Sequence, residues 1–223
     1  MFIHLTGRRR PPENLGANLA AYACLFGAGL VVLPGCGGPA RIYPPKVDVA
    51  AAGRAAVAQF DTNGDQLLSP KELDKCLGIQ AQFAQYDQDG DGQVSAAEIA
   101  TRITALSRDG YTGMYSVMCK VTLDGAPLAN AEVEFIPEEF LGGAVQSARG
   151  TTNERGMVRP AVESFASSSD TAGIKGMQPG IYRVSVTGPS DSVTARYGSG
   201  DRLGLEVSEA VLGTNIVFSL TSK

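Results

Sequence analysis

Two stretches of this 223-residue chain share one plan: Asp61-Thr62-Asn63-Gly64-Asp65-Gln66-Leu67-Leu68-Ser69-Pro70-Lys71-Glu72 and Asp87-Gln88-Asp89-Gly90-Asp91-Gly92-Gln93-Val94-Ser95-Ala96-Ala97-Glu98. Each puts oxygen-bearing side chains at positions 1, 3, 5, 9 and 12 of a twelve-residue window. Around them residues 48–107 hold nine Asp or Glu against four Lys or Arg, a local charge of −5. Carboxylates at that density call for a cation. Calcium, a hard ion, takes about six to eight oxygens at roughly 2.3–2.6 Å, and a tight loop running into a helix delivers them at this spacing. The expected ligands are Asp61, Asn63, Asp65, Ser69 and Glu72 in the first loop, with the backbone carbonyl of Leu67 at position 7. In the second they are Asp87, Asp89, Asp91, Ser95 and Glu98, with the carbonyl of Gln93. Glutamate at position 12 closes the shell with both carboxylate oxygens.

Flanking residues carry the same message independently of the ligands. Ser69-Pro70-Lys71-Glu72 and Ser95-Ala96-Ala97-Glu98 both read as helix starts, with serine at the cap and glutamate three residues on. Apolar faces follow: Leu73, Cys76 and Leu77 after the first loop, and Ile99, Ile103 and Leu106 after the second. The incoming helices end at Ala56, Val57 and Phe60, and at Ile79, Phe83 and Tyr86. This loop-and-helix pattern resembles the EF-hand family, twice over. In paired EF-hands the position-8 residues, Leu68 and Val94 here, join the two loops by a short antiparallel bridge. The loop starts lie 26 residues apart, so Gly78 must nearly join one helix to the next.

The two loops are expected to differ. Position 6 turns with positive φ and is glycine in the family pattern; Gly92 fits, whereas the first loop has Gln66, a cost of roughly 1 kcal/mol. The first loop also carries three acidic ligands against four in the second. The second should bind more tightly, and the rival reading, a relic loop that no longer binds, weighs more on the first.

After a linker at residues 107–113 the periodicity becomes two-residue alternation. Val117, Cys119, Val121 and Leu123 share one strand face, Met118, Lys120 and Thr122 take the other, and Asp124-Gly125 marks a turn. Ala131, Val133 and Phe135 alternate with Glu132 and Glu134, and further strands fit residues 148–152, 157–161, 181–187, 203–207 and 215–220. About seven strands in roughly 110 residues imply a β-sandwich. Residues 121–131 (VTLDGAPLANA), 150–156 (GTTNERG) and 179–184 (PGIYRV) resemble the carboxypeptidase regulatory-like, or transthyretin-like, sandwich of exported bacterial lipoproteins. That resemblance implies a non-catalytic module with a possible protein or glycan partner. The hydrolase branch of the same fold depends on histidines that are missing here. The fold class is therefore α+β in two domains: an all-α EF-hand pair at 48–107, then an Ig-like, transthyretin-like β-sandwich at 114–222.

The N-terminal segment reads as an address. Arg8-Arg9-Arg10 precede an uncharged, mostly apolar stretch from Leu15 to Leu33, which ends at Pro34-Gly35-Cys36. Leu33-Pro34-Gly35-Cys36 resembles a bacterial lipobox, which implies a signal peptide at 1–35, a lipid on Cys36, a tether at 36–47 and export to the periplasm or cell surface. An ordinary secretory signal and an uncleaved membrane anchor remain alternative readings, since 19 uncharged residues could just span a bilayer.

Composition narrows function further. The one histidine, His4, lies in that segment, which excludes imidazole zinc sites, histidine-activated nucleophiles and histidine-ligated haem from the rest of the chain. Without residues 1–35 the chain has 16 basic and 22 acidic residues, so no basic patch for nucleic acid is expected. Cys76 and Cys119 either pair, tying helices to sandwich, or sit as small buried hydrophobes. The serine-rich run at residues 164–170 reads as a loop. The expectation is a calcium-binding, lipid-anchored, non-enzymatic protein, or alternatively a surface-binding module in which calcium is only structural.

Overall fold

Helix α1, Val49–Phe60, starts where the Asp48 side chain accepts from the Ala51 N–H at 3.0 Å, and it buries Ala52, Gly53, Ala56, Val57 and Phe60 along one stripe. The computed structural model describes residues 42–108, 113–164, 175–211 and 213–223. The signal segment and Cys36 lie outside them, as does most of the serine-rich run. All described residues fall in one compact unit, Gly37–Lys223.

The helical region follows the loops. Strand β1, Leu67–Leu68, pairs antiparallel with β2, Val94–Ser95, so Leu68 lies opposite Val94. Helix α4, Ala96–Arg108, packs on α1 and buries Ile99, Ile103 and Leu106. Complete burial of each such side chain stabilises by roughly 1.5–3 kcal/mol. Between the loops the structure departs from the expected pair of helices. Glu72–Lys75 is a single 3-10 turn, followed by two one-turn helices, α2 (Leu77–Gln80) and α3 (Phe83–Tyr86). Residues 73–86 are too few for two full helices and the link between them, so the chain breaks at Cys76 and Gln82, both outside helical φ/ψ. Leu73, Cys76, Ile79 and Tyr86 are nevertheless buried as their spacing requires.

Two four-stranded sheets follow. One contains β3 (Cys119–Leu123), β4 (Ala126–Pro127), β7 (Met157–Val158) and β10 (Ile216–Leu220), with β10 parallel to β3. Asp124 (φ 50°) and Gly125 (φ 83°) turn β3 into β4 with the twist a two-residue hairpin needs. The other sheet has the order β6-β5-β8-β9, with β5 Glu132–Pro137, β6 Ala148–Thr151, β8 Gly180–Thr187 and β9 Gly204–Val207. Phe135 meets Tyr182 edge-on at 6.4 Å and Phe218 of the first sheet at 6.1 Å, so the two sheets share this interior. Helix α5, Asp191–Tyr197, capped by Ser190, lies against β8 and was not expected from the sequence.

β8 is buried on both faces, which strict alternation would not produce. Its inner side chains, Tyr182, Val184 and Val186, lie on the Phe135 side; its outer ones are covered by α5 and by the helical region. There α2 lies on β8 and β9. A Cβ on Gly204 would stand 2.3 Å from the Gly78 nitrogen and 2.7 Å from the Leu77 carbonyl carbon. Only glycine allows that approach. Helical region and sheets thus contribute to one continuous core, where the sequence separates 48–107 from 114–222.

Polar groups are also buried along this seam. Glu138, 1% exposed, lies 3.7 Å from Arg183 Nε and accepts weakly from the Cys76 thiol at 3.8 Å. Burial raises its carboxyl to about 7, with the Arg183 charge opposing. Cys76 and Cys119 are free and buried, the second of the two sequence alternatives; burial pushes the Cys119 thiol up to about 12 and Cys76 higher still.

Two expectations follow. Gly204→Ala forces α2 off the sheet and should cost about 1–3 kcal/mol, read as a lower urea midpoint. Because Glu138 binds its proton more tightly folded than unfolded, stability should fall as pH rises from about 4.5 to 7. Glu138→Gln should remove that slope and melt above the parent at pH 8; an unchanged slope would count against this source.

Candidate metal centre

Both loops are built from carboxylates folded back onto their own backbone. In the first, Asp61 Oδ1 accepts from Asn63 N (3.2 Å) and Gly64 N (2.6 Å), and Oδ2 accepts from Gln66 N at 3.0 Å. Asn63 Oδ1 accepts from Asp65 N, and Asp65 Oδ1 from Leu67 N. The second loop repeats this: Asp87 accepts from Gly90 N and Gly92 N, Asp89 from Asp91 N, and Asp91 from Gln93 N. Such turns aim the side-chain oxygens of positions 1, 3 and 5 inward.

The position-12 glutamates act as buckles. Glu72 Oε1 accepts from Thr62 N (2.8 Å), Thr62 Oγ1 (3.0 Å) and Asn63 N (3.3 Å), while Oε2 takes Ser69 N (2.9 Å) and Ser69 Oγ (2.8 Å). Glu98 Oε1 accepts from Gln88 N at 2.9 Å, and Oε2 from Ser95 N and Ser95 Oγ, both 2.8 Å. Each glutamate therefore joins loop position 2 to position 9, and each serine hydroxyl returns a bond from the glutamate N–H, the reciprocal cap that starts the outgoing turn. The backbone N–H groups of Ser69 and Thr62 hold Glu72 well below the usual carboxylate range, at about 2. Burial raises Glu98, but hydrogen bonds from Ser95, Gln88 and Asp89 outweigh it and the net shift is downward.

The loops differ where the sequence differs. Gln66 adopts φ 67° at the position where Gly92 has φ 85°, so the first loop carries the left-handed strain. Asn63 Nδ2 donates to Asp65 Oδ2 at 3.0 Å, neutralising part of that acid's demand. Asp89 in the equivalent place can donate nothing. Asp87, Asp89 and Asp91 accordingly bring a carboxylate oxygen each within 4.8 Å of one another, the one such group among the described residues. Three negative charges at that spacing repel one another, and a cation between them would relieve the repulsion. All side-chain donors are hard oxygens, which fits calcium and not a thiol- or imidazole-seeking metal. The position-12 carboxylates stay outside the triad, on their own loops. Ser69 and Ser95 stand beside them at position 9, Leu67 opens β1, and Gln93 immediately precedes β2.

Fold and site together describe an α+β protein carrying an EF-hand. The family model for the EF hand matches residues 79–103, covering α3, the second loop and the first half of α4. No curated protein and no solved structure matches the chain. Match and aspartate triad both point to calcium.

Sequence reasoning read Tyr86 only as an apolar end of the incoming helix and did not single out Glu206 and Arg102, which meet it beside the second loop. Glu206 is 2% exposed on β9; Tyr86 Oη donates to its Oε2 at 2.7 Å, and Arg102 reaches it with Nε at 3.1 Å and Nη2 at 2.5 Å. A glutamate between Leu205 and Val207 reads as an outward strand position, and only the helices covering that face make it buried.

Glu72 keeps its charge to lower pH in the fold than in the unfolded chain, so its contribution is present above about pH 4.5 and is lost as pH falls toward 2. In calcium-free acid titration, Glu72→Gln should lower stability at pH 6 and show a shallower loss below pH 4.5. A loss parallel to the parent's would contradict the buckle.

Proposed function

We propose that the chain is an exported, non-catalytic calcium-binding protein, held to a bacterial membrane by a lipid on Cys36, in which two EF-hand loops order the helical region against a carboxypeptidase regulatory-like sheet pair. The observation that carries the calcium reading is the Asp87, Asp89, Asp91 triad inside a loop of EF-hand spacing. Support for export and anchoring comes from the basic start, the apolar run and Leu33-Pro34-Gly35-Cys36; support for a non-catalytic role comes from His4 being the only histidine. The sheet-pair assignment rests on the turn sequences at 121–131, 150–156 and 179–184.

Calcium in this reading neutralises the −5 cluster and fixes the loops. At affinities of about 0.1–1 mM, typical of extracellular modules, the ion is structural wherever calcium is plentiful. Among the described residues the exposed large hydrophobics are Tyr43, Met118 and Val217, so an apolar contact with a protein or glycan partner would draw on these.

Calcium titration of residues 36–223 carrying Cys36→Ser, by calorimetry, tests the reading. Glu98→Gln should weaken the tighter site at least tenfold and Glu72→Gln the weaker one. Equal affinities in parent and both variants, or no heat up to about 5 mM calcium, would sink it.

A further inference from the structure

The second loop is held at both ends by one carboxylate that belongs to the sheet. Tyr86 is the residue immediately before Asp87, the position-1 ligand, and Arg102 lies one helical turn beyond Glu98, the position-12 ligand. Both side chains converge on Glu206: Tyr86 Oη and Arg102 Nε donate to Oε2 at 2.7 and 3.1 Å, and Arg102 Nη2 donates to Oε1 at 2.5 Å. Glu206 sits opposite Ile181 in the β8–β9 ladder, on the face that α2 covers. Tyr86 is fully buried and Glu206 is 2% exposed, while the Arg102 side chain, 17% exposed, closes the junction from the solvent side.

We propose that Glu206 is a positioning residue for the second calcium loop, clamping the segments before and after it so that the backbone at positions 1 and 12 is held at a fixed separation, and coupling calcium occupancy to the tightness of β9. The inference rests on the calcium reading above and deepens it. A twelve-residue loop binds an ion well only if its two ends are already at the right separation, because otherwise binding must supply the ordering. Here the ends are tied to each other by Glu98 and, just outside the loop, to a common acceptor by Tyr86 and Arg102. Any coupling is reciprocal: if β9 favours the ion-ready loop, the ion must favour the paired β9 by the same factor. The first loop lacks this arrangement. Its flanks reach the sheet region separately: Phe60, immediately before Asp61, meets Phe140 edge-on at 6.2 Å, and Cys76, four residues past Glu72, makes a long contact to Glu138, with no shared acceptor among the described residues.

The test compares the full chain with Tyr86→Phe and Glu206→Gln, both near-isosteric, and with Val133→Ala, which opens the sheet interior far from the clamp. Calcium affinity is measured by calorimetry, and amide hydrogen exchange of Gly204–Val207 is followed with and without calcium. The expected result is a five- to tenfold loss of second-loop affinity in Tyr86→Phe and Glu206→Gln. Val133→Ala should lower the melting temperature and leave affinity within twofold of the parent. Calcium should slow exchange across β9 in the parent, and this slowing should shrink in both clamp variants and vanish in Glu98→Gln. A parent that binds calcium while both clamp variants bind equally well, or whose β9 exchange ignores calcium, overturns this inference and leaves the calcium reading intact. A parent that binds no calcium overturns both.

Discussion

Electrostatic repulsion among Asp87, Asp89 and Asp91 is the constraint from which the rest of this structure takes its meaning. Three carboxylate oxygens within 4.8 Å repel one another, a repulsion that the backbone N–H donors to each side chain reduce and that a bound cation would reduce further. Everything near the second loop serves that geometry: Gly90 and Gly92 turn the chain with positive φ, Glu98 buckles position 2 to position 9, and β2 ties the loop to its twin. The first loop has the same frame with weaker demand, since Asn63 satisfies Asp65 internally and Gln66 bears strain that glycine would avoid.

A helical region this small cannot bury enough on its own to be stable. It gains a core by lying on the outer face of the β6-β5-β8-β9 sheet, and the contact is made intimate by two glycines, Gly78 and Gly204, whose backbones nearly touch. The same face carries two buried carboxylates, Glu138 and Glu206, each addressed by side chains of the helical region. Burying such charges stabilises little by itself, but at Glu206 it penalises any other docking of helices on sheet, because misplacement would part it from Arg102. The seam is thus specified by sterics and by charge together.

Much of this was legible in the sequence because it is encoded locally. The serine–glutamate caps and the Asp124-Gly125 turn each depend on residues a few positions apart, the Leu68–Val94 pairing on two loops of one pattern, and each is present in the structure. What escaped depends on crowding between the loops or on distant chain segments. The break at Cys76 follows from the close spacing of the loops, and Gly78 marked that crowding without revealing a broken helix. β8 is buried on both sides only because helices cover its outer face, so six of its eight residues are buried rather than every second one. Glu206 illustrates the limit most sharply: in the sequence it is a polar residue in an amphipathic strand, and its buried role exists only once Tyr86 and Arg102, more than one hundred residues away in the chain, are folded against it.

A differential melting scan of the full chain with and without calcium bears most directly on the central claim, that ion loops and sheets form a single calcium-stabilised unit. The account predicts one cooperative transition whose midpoint climbs steadily as calcium rises through the millimolar range, by mass action on the folded state. Two transitions of which only the smaller responds to calcium, or one transition indifferent to the ion, would contradict it.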